Sequence, residues 1–114
     1  MRKAIAMSPA YPTWYHFPIA WHYYWNEDYE TALAETKKID LPGYWHTHLQ
    51  LVTIYGAMGR KQDARGSVTR LLELYPEIPR KYRDEWRKWN VPEPMIDHAA
   101  GDLRRAGLDI SERS

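Results

Sequence analysis

The stretch Leu51–Pro76, LVTIYGAMGRKQDARGSVTRLLELYP, decides the fold. Apolar residues recur at spacings of three and four on both sides of a polar turn, which predicts two amphipathic helices. Gly59 suits the left-handed backbone just past a helix end, and Pro76 ends the second helix because proline cannot continue one. Ala64 is small enough to let the two helices cross closely. Since one hairpin cannot bury its own apolar faces, further helices must pack against it.

A second copy of this pattern lies upstream, in a register that aligns Tyr23 with Tyr55 and Ala32 with Ala64. Tetratricopeptide (TPR) repeats have a period near 34 and the pattern W-x2-L-G-x2-Y, then A-x3-F, then P. The two copies align with that pattern at His16, Ile19, Ala20, Tyr23, Ala32 and Pro42, and at His48, Leu51, Val52, Tyr55, Ala64 and Pro76. Histidine replaces the opening tryptophan in both copies.

The repeat predicts one all-α domain of TPR-like antiparallel helical hairpins, forming a short right-handed α-α superhelix closed by a C-terminal capping helix pair. Repeat arrays need about three units for stability, so we expect the chain to be the C-terminal piece of a longer protein, with a natural start at Met1 as the alternative. The expected segments are the tail of a preceding repeat at 1–9, repeats at 13–42 and 43–76, a degenerate capping repeat at 77–108 and a frayed tail at 109–114.

Four segments carry a narrower resemblance: WYHFPIAWHYYWNEDYETAL (14–33), PGYWHTH (42–48), GRKQDAR (59–65) and DLRRAGL (102–108). They resemble the C-terminal TPR region of bacterial class III adenylate/guanylate cyclases and of related multi-domain transcriptional regulators. The resemblance implies a regulatory region downstream of a catalytic or DNA-binding domain. No metal-binding aspartate or nucleotide-contacting residue of the cyclases maps onto this sequence, so no activity carries over.

Composition narrows the classes of partner. The chain has 114 residues, a net charge of +1 and no cysteine, which excludes disulfides and is compatible with a reducing cytoplasm. No apolar run approaches the ~18 residues of a membrane span. The basic cluster at 80–88 contains Asp84 and Glu85, so it lacks the uniformly basic face typical of nucleic-acid binding. We therefore expect a cytoplasmic protein that binds neither nucleic acid nor membrane.

The residues also argue against catalysis. No serine lies in a nucleophile-elbow context and no glycine-rich phosphate loop is present. His46 and His48 are two residues apart, which places them on different faces of a helix, whereas zinc sites on one helix use spacings of three or four. The sequence predicts a protein that is not an enzyme and that has no metal or cofactor.

The unusual feature is aromatic content, with six Trp, nine Tyr and one Phe. In TPR hairpins the first helices line a concave groove, and aromatic patches on a surface tend to be binding sites. We predict such a groove for a peptide or a partner domain. Its predicted residues are Trp14, Phe17, Trp21, Tyr24 and Trp25, with His46, Leu49 and Thr53 opposite them.

Other uses of this aromatic stripe remain open. The rings can pack against a missing upstream repeat, against the C-terminal helices or against a second copy of the chain, which would make a homodimer. Aromatic stripes at helical spacing are more often core than ligand site. A small-molecule pocket is a further alternative, because Tyr and Trp combine an apolar body with a polar tip.

Overall fold

The computed structural model describes residues 16–41 and 43–110, and all regular structure in these ranges is helical. This confirms the all-α prediction. None of the helices in these ranges combines the length and the apolar character needed to cross a membrane. The helices are α1 (His16–Trp25), α2 (Tyr29–Lys37), α3 (Trp45–Ala57), α4 (Lys61–Leu74), α5 (Ile78–Arg87) and α6 (Glu93–Arg105).

The turns that end α1 and α3 share the same backbone hydrogen bonds at equivalent positions of the two sequence copies. The Asp28 amide donates to the Tyr23 carbonyl at 2.9 Å, and the Arg60 amide donates to the Tyr55 carbonyl at 2.9 Å. These two hydrogen bonds satisfy carbonyl groups that a helix end would otherwise leave unpaired. The sequence repeat is therefore also a repeat of local backbone structure.

A left-handed residue lies at the same place in both turns. Gly59 has φ +72°, as predicted, and its counterpart Glu27 has φ +65°. Glycine adopts this conformation without steric cost, whereas a side chain at Cβ makes it unfavourable. The first turn thus has the same shape as the second despite a less suitable residue. Gly107, which follows α6, also has a positive φ, +105°.

Helices α2, α4 and α6 begin at equal intervals along the chain, at positions 29, 61 and 93. The fourth residue of each of these helices is fully buried, namely Ala32, Ala64 and Ile96. Ala32 and Ala64 have side chains short enough for close helix packing. Helix α6 therefore keeps the spacing of α2 and α4 but has a larger residue at this position.

Helix α3 is the centre of the packing. It packs most extensively against α4, next in the chain, and also contacts α1, α2 and α6. Its buried residues include Leu49, Val52, Thr53 and Ile54. Thr53 is fully buried, so its hydroxyl has no access to water and donates instead to the Leu49 carbonyl at 2.7 Å.

Helix α6 packs against α3 at Gly56 and reaches Tyr24 of α1 through Asp102. A Cβ built on Gly56 would lie 1.8 Å from the backbone oxygen of Asp102, so the two helices approach more closely than any side chain on Gly56 would permit. Asp102 is 1% exposed, and its carboxylate accepts hydrogen bonds from the Tyr24 hydroxyl and the Arg105 guanidinium. Burial raises the pKa of Tyr24, which keeps this hydroxyl a donor.

The chain end differs from the expectation in one respect. Ile110 falls in the segment predicted to fray, but its side chain is 2% exposed and its carbonyl accepts two hydrogen bonds from the Arg104 guanidinium, at 3.2 and 3.1 Å. The physical reason is that Leu108 and Ile110 both join the hydrophobic core after the Gly107 turn. Residues 111–114 lie outside the described part of the chain.

Candidate functional site

An open cleft of about 800 Å³ lies between α1, the start of α3 and the end of α5. This volume is within the range of ligand pockets, roughly 300–1,000 Å³. We call it the aromatic cleft, because most of the side chains around it are rings. Its lining residues are Phe17, Pro18, Trp21, His22, Trp25, Tyr44, Trp45, His46, Glu85, Trp86, Lys88, Trp89 and Val91.

Helix α1 supplies one wall of the aromatic cleft. Phe17, Trp21 and Trp25 are four residues apart, so they lie on one face of the helix. The rings of Trp21 and Trp25 stack with centroids 6.0 Å apart and an interplanar angle of 25°. Because these rings support each other, this wall is preorganised.

His46 forms part of the floor and holds Trp21 in place. The indole Nε1 of Trp21 donates to Nε2 of His46 at 3.0 Å. An indole N–H can only donate, so this His46 nitrogen is unprotonated and the ring is neutral. Burial lowers the pKa of His46 to about 4, although the negative charge of Glu85 acts in the opposite direction. His46 is therefore an uncharged acceptor at neutral pH.

Helix α5 closes the opposite side of the cleft. The ring of Trp86 packs edge-to-face on Trp21, with centroids 4.9 Å apart and an interplanar angle of 77°. Trp86 is 7% exposed, whereas Trp89, three residues later, is 75% exposed. Tyr44, at the start of α3, is 45% exposed. Trp89 and Tyr44 are thus rim residues with apolar surface left in water.

Two side chains of opposite charge interrupt the aromatic lining. The Glu85 carboxylate accepts a hydrogen bond from the Tyr75 hydroxyl at 2.6 Å and contacts the Lys88 ammonium at 3.3 Å. Burial, followed by the hydrogen bond to Glu85, raises the pKa of Tyr75 to about 12. The side chain of Glu85 is 18% exposed and that of Lys88 is 66% exposed. The carboxylate therefore lies deeper than the ammonium.

The structure separates the predicted groove residues into two sets. Phe17, Trp21, Trp25 and His46 line the aromatic cleft. Tyr24, Leu49 and Thr53 do not line it and are at most 1% exposed, so no ligand reaches them in this conformation. Helix α6 contributes to this burial through Asp102 and Tyr24, one of the packing alternatives considered above. Trp14 lies outside the described residues.

Sequence reasoning did not identify the α5 side of the cleft. Its charged residues made this helix resemble a solvated one, but it carries two tryptophans three residues apart at its C-terminal end, Trp86 inside the helix and Trp89 just past it. That spacing was the available signal. The neighbouring pair Tyr44 and Trp45 was also missed, because both precede or begin α3 outside the repeat pattern.

A metal site is a separate question from the cleft. Within residues 16–41 and 43–110, no three or more side chains of His, Asp or Glu lie close enough together to hold a metal ion. The buried Asp102 instead has protein donors, Tyr24 and Arg105.

Comparison of the chain with protein-family models, with curated proteins and with solved structures found no match.

Proposed function

We propose that the chain is a non-catalytic interaction module in which TPR-like hairpins present the aromatic cleft to a peptide segment of a partner protein or domain. The observation that carries the proposal is the open aromatic cleft itself, with Trp89 and Tyr44 exposed at its rim. Aromatic side chains are enriched among residues that contribute most to binding, because they bury large area with few rotatable bonds.

The repeat geometry supports the TPR part of the proposal. The helices of each of the first two pairs contact each other, α1 and α2 both contact α3, and the turn after α1 recurs after α3. Contacts between a repeat and its neighbour are the basis of repeat arrays. On the resemblance of the sequence, the module would be the cytoplasmic C-terminal part of a cyclase-type or transcription-regulating signalling protein.

The helices depart from a regular array in one respect, and this changes where on the α1 face a ligand can bind. In an extended array each repeat contacts only its neighbours, whereas α6, in the third pair, hydrogen-bonds to Tyr24 in the first. This contact helps to bury Tyr24, one of the predicted groove residues. A ligand therefore has access to the end of that face, where α1, α3 and α5 surround the aromatic cleft.

The proposal is tested by selecting peptides from a displayed random library on the full chain and measuring their affinities by calorimetry. Trp89→Ala is the informative variant, because a side chain 75% exposed contributes little to folding. We expect it to weaken binding at least about tenfold, the effect of an aromatic anchor, with an unchanged melting temperature. Trp21→Ala is a poorer test, because Trp21 is 8% exposed and packs in the core.

Lys81→Ala is the matched control, since Lys81 is an exposed residue of the adjoining helix α5 and does not line the cleft. It should bind as the wild type does. Failure to select any peptide, or equal binding by Trp89→Ala, would refute a peptide site in the cleft.

A small-molecule sensor is the second candidate, because a volume of about 800 Å³ also suits a ligand of that size. Such a ligand would raise the melting temperature by mass action. A metabolite extract that stabilises the wild type but not Trp89→Ala would favour this function over peptide binding.

A further inference from the structure

We infer that the aromatic cleft binds an arginine side chain of its peptide, an inference that rests on the proposed function. The cleft combines four tryptophan rings with one largely buried carboxylate, that of Glu85. These are the two kinds of group that attract a cation.

The tryptophans provide the first attraction. Trp21, Trp25, Trp86 and Trp89 all line the cleft, and the face of an aromatic ring carries the negative part of its quadrupole. A cation within about 6 Å of such a face is attracted, most strongly by tryptophan and when water is excluded. An anion would meet the same faces unfavourably.

Glu85 provides the second attraction and sets the sign of charge that the site prefers. Its side chain is 18% exposed, against 66% for Lys88, so an entering group meets the ammonium at the rim and the carboxylate inside. A neutral apolar ligand would further desolvate this carboxylate without giving it a new partner, which is unfavourable. The neutral ring of His46 adds no opposing charge at neutral pH.

Lys88 does not block this use of Glu85. The two residues form a pair three apart in the chain, with a nitrogen–oxygen distance of 3.3 Å, and the Lys88 side chain is 66% exposed, so water can replace Glu85 as the partner of its ammonium. Tyr75 holds the other carboxylate oxygen at 2.6 Å. A ligand cation can therefore replace Lys88 while Tyr75 keeps the carboxylate in place.

Arginine fits better than lysine. The guanidinium is planar, stacks on aromatic rings, is more weakly hydrated than an ammonium and has several donors for a carboxylate. A lysine ammonium would lose more hydration on entering an aromatic cleft.

The test uses three synthetic pentapeptides with the sequence Ac-Gly-Ala-X-Ala-Gly-NH₂, where X is arginine, lysine or citrulline, the neutral analogue of arginine. Binding to the full chain is followed by NMR of the tryptophan indole N–H signals. We expect the arginine peptide to bind about tenfold more tightly than the citrulline peptide, the ratio typical of a desolvated cation–π contact. Equal binding of the two would overturn the inference.

Two charge variants give opposite expectations. Glu85→Gln keeps the shape and an acceptor for Tyr75, and should reduce the preference for arginine over citrulline, because only the attraction by the tryptophans remains. Lys88→Gln removes the competing cation and should tighten arginine binding. The reverse pattern would show an anion site and overturn the inference. Glu73→Gln is the control, since Glu73 lies on α4 outside the cleft with its side chain 59% exposed.

The library selection separates this inference from the proposed function. Selected peptides that share an arginine and lose affinity on its change to citrulline support both. Selected peptides without a shared cation would leave the proposed function standing and overturn the inference. A chain that forms dimers in light scattering, dissociated by Trp89→Ala but not by the arginine peptide, would identify a second copy as the occupant and overturn it too.

Discussion

Gly56 on α3 and Asp102 on α6 are in direct backbone contact, close enough that a Cβ on Gly56 would lie 1.8 Å from the Asp102 carbonyl oxygen. This is the point at which the last helix meets the centre of the packing. The Asp102 carboxylate also accepts a hydrogen bond from the Tyr24 hydroxyl of α1. The position of α6 therefore helps to determine which residues of the predicted groove stay accessible.

We predict that Gly56→Ala destabilises the fold by about 3 kcal/mol, the upper end of overpacking effects, because α6 must move away from α3. The free energy of unfolding in urea measures this. Gly66→Ala is the matched control, since Gly66 is also helical and a Cβ there meets nothing within 4 Å. It should stabilise by about 0.5–1 kcal/mol, the helix preference of alanine over glycine. Equal effects at both positions would contradict the close contact.

Ala64→Leu should destabilise by about 1–3 kcal/mol, because Ala64 is fully buried and a larger side chain overpacks the site. Ala34→Leu, on the exposed face of α2, should change the free energy of unfolding by less than about 0.5 kcal/mol. Thermal and urea unfolding of both variants check the pair. A tolerated leucine at position 64 would mean that the helices do not depend on a small residue there.

Tyr24→Phe should cost about 1–3 kcal/mol of stability, since it leaves the buried Asp102 carboxylate with one donor fewer. Tyr44→Phe serves as control, because Tyr44 is 45% exposed and water can replace the lost hydroxyl contacts. The free energy of unfolding in urea, measured for both variants, compares the contributions of the two hydroxyl groups to stability. A neutral Tyr24→Phe would indicate that Arg105 alone satisfies Asp102.

His46 should make the protein less stable in acid. Its folded pKa of about 4 lies below the ordinary value of 6.5, so the unfolded state binds the proton first as the pH falls. The stability associated with neutral His46 is fully present above pH 6.5 and is lost progressively between pH 6.5 and pH 4. By linkage the loss reaches at most about 3 kcal/mol.

NMR titration of the His46 ring protons checks the pKa, and unfolding at pH 7 and pH 4 checks the stability. His46→Gln, which can still accept from Trp21, should show a smaller loss between these pH values than the wild type. An ordinary titration of His46 near pH 6.5 would refute the prediction.

Helical periodicity and turn chemistry could be predicted from the sequence because they are local. The glycine at position 59, the proline-bounded second helix and the matching register of Tyr23 and Tyr55 all depend on neighbours within a few turns. These features correspond to the observed positive φ at Gly59 and to the start positions of α2, α4 and α6. The solvent exposure of the aromatic residues, in contrast, depends on residues far apart in the chain and could not be predicted from short-range patterns.

The sequence by itself determined an all-helical chain with repeated turns and an aromatic stripe on α1, since backbone preferences and apolar spacing act over short distances. Only the tertiary structure decided that Tyr24, Leu49 and Thr53 are buried, with Asp102 of α6 bound to Tyr24, and that Trp86 of α5 packs on Trp21. The reason is that both outcomes depend on contacts between residues far apart in the chain. The close contact of Gly56 with the Asp102 backbone joins α3 to α6. A contact between residues so far apart leaves no periodic pattern in the sequence.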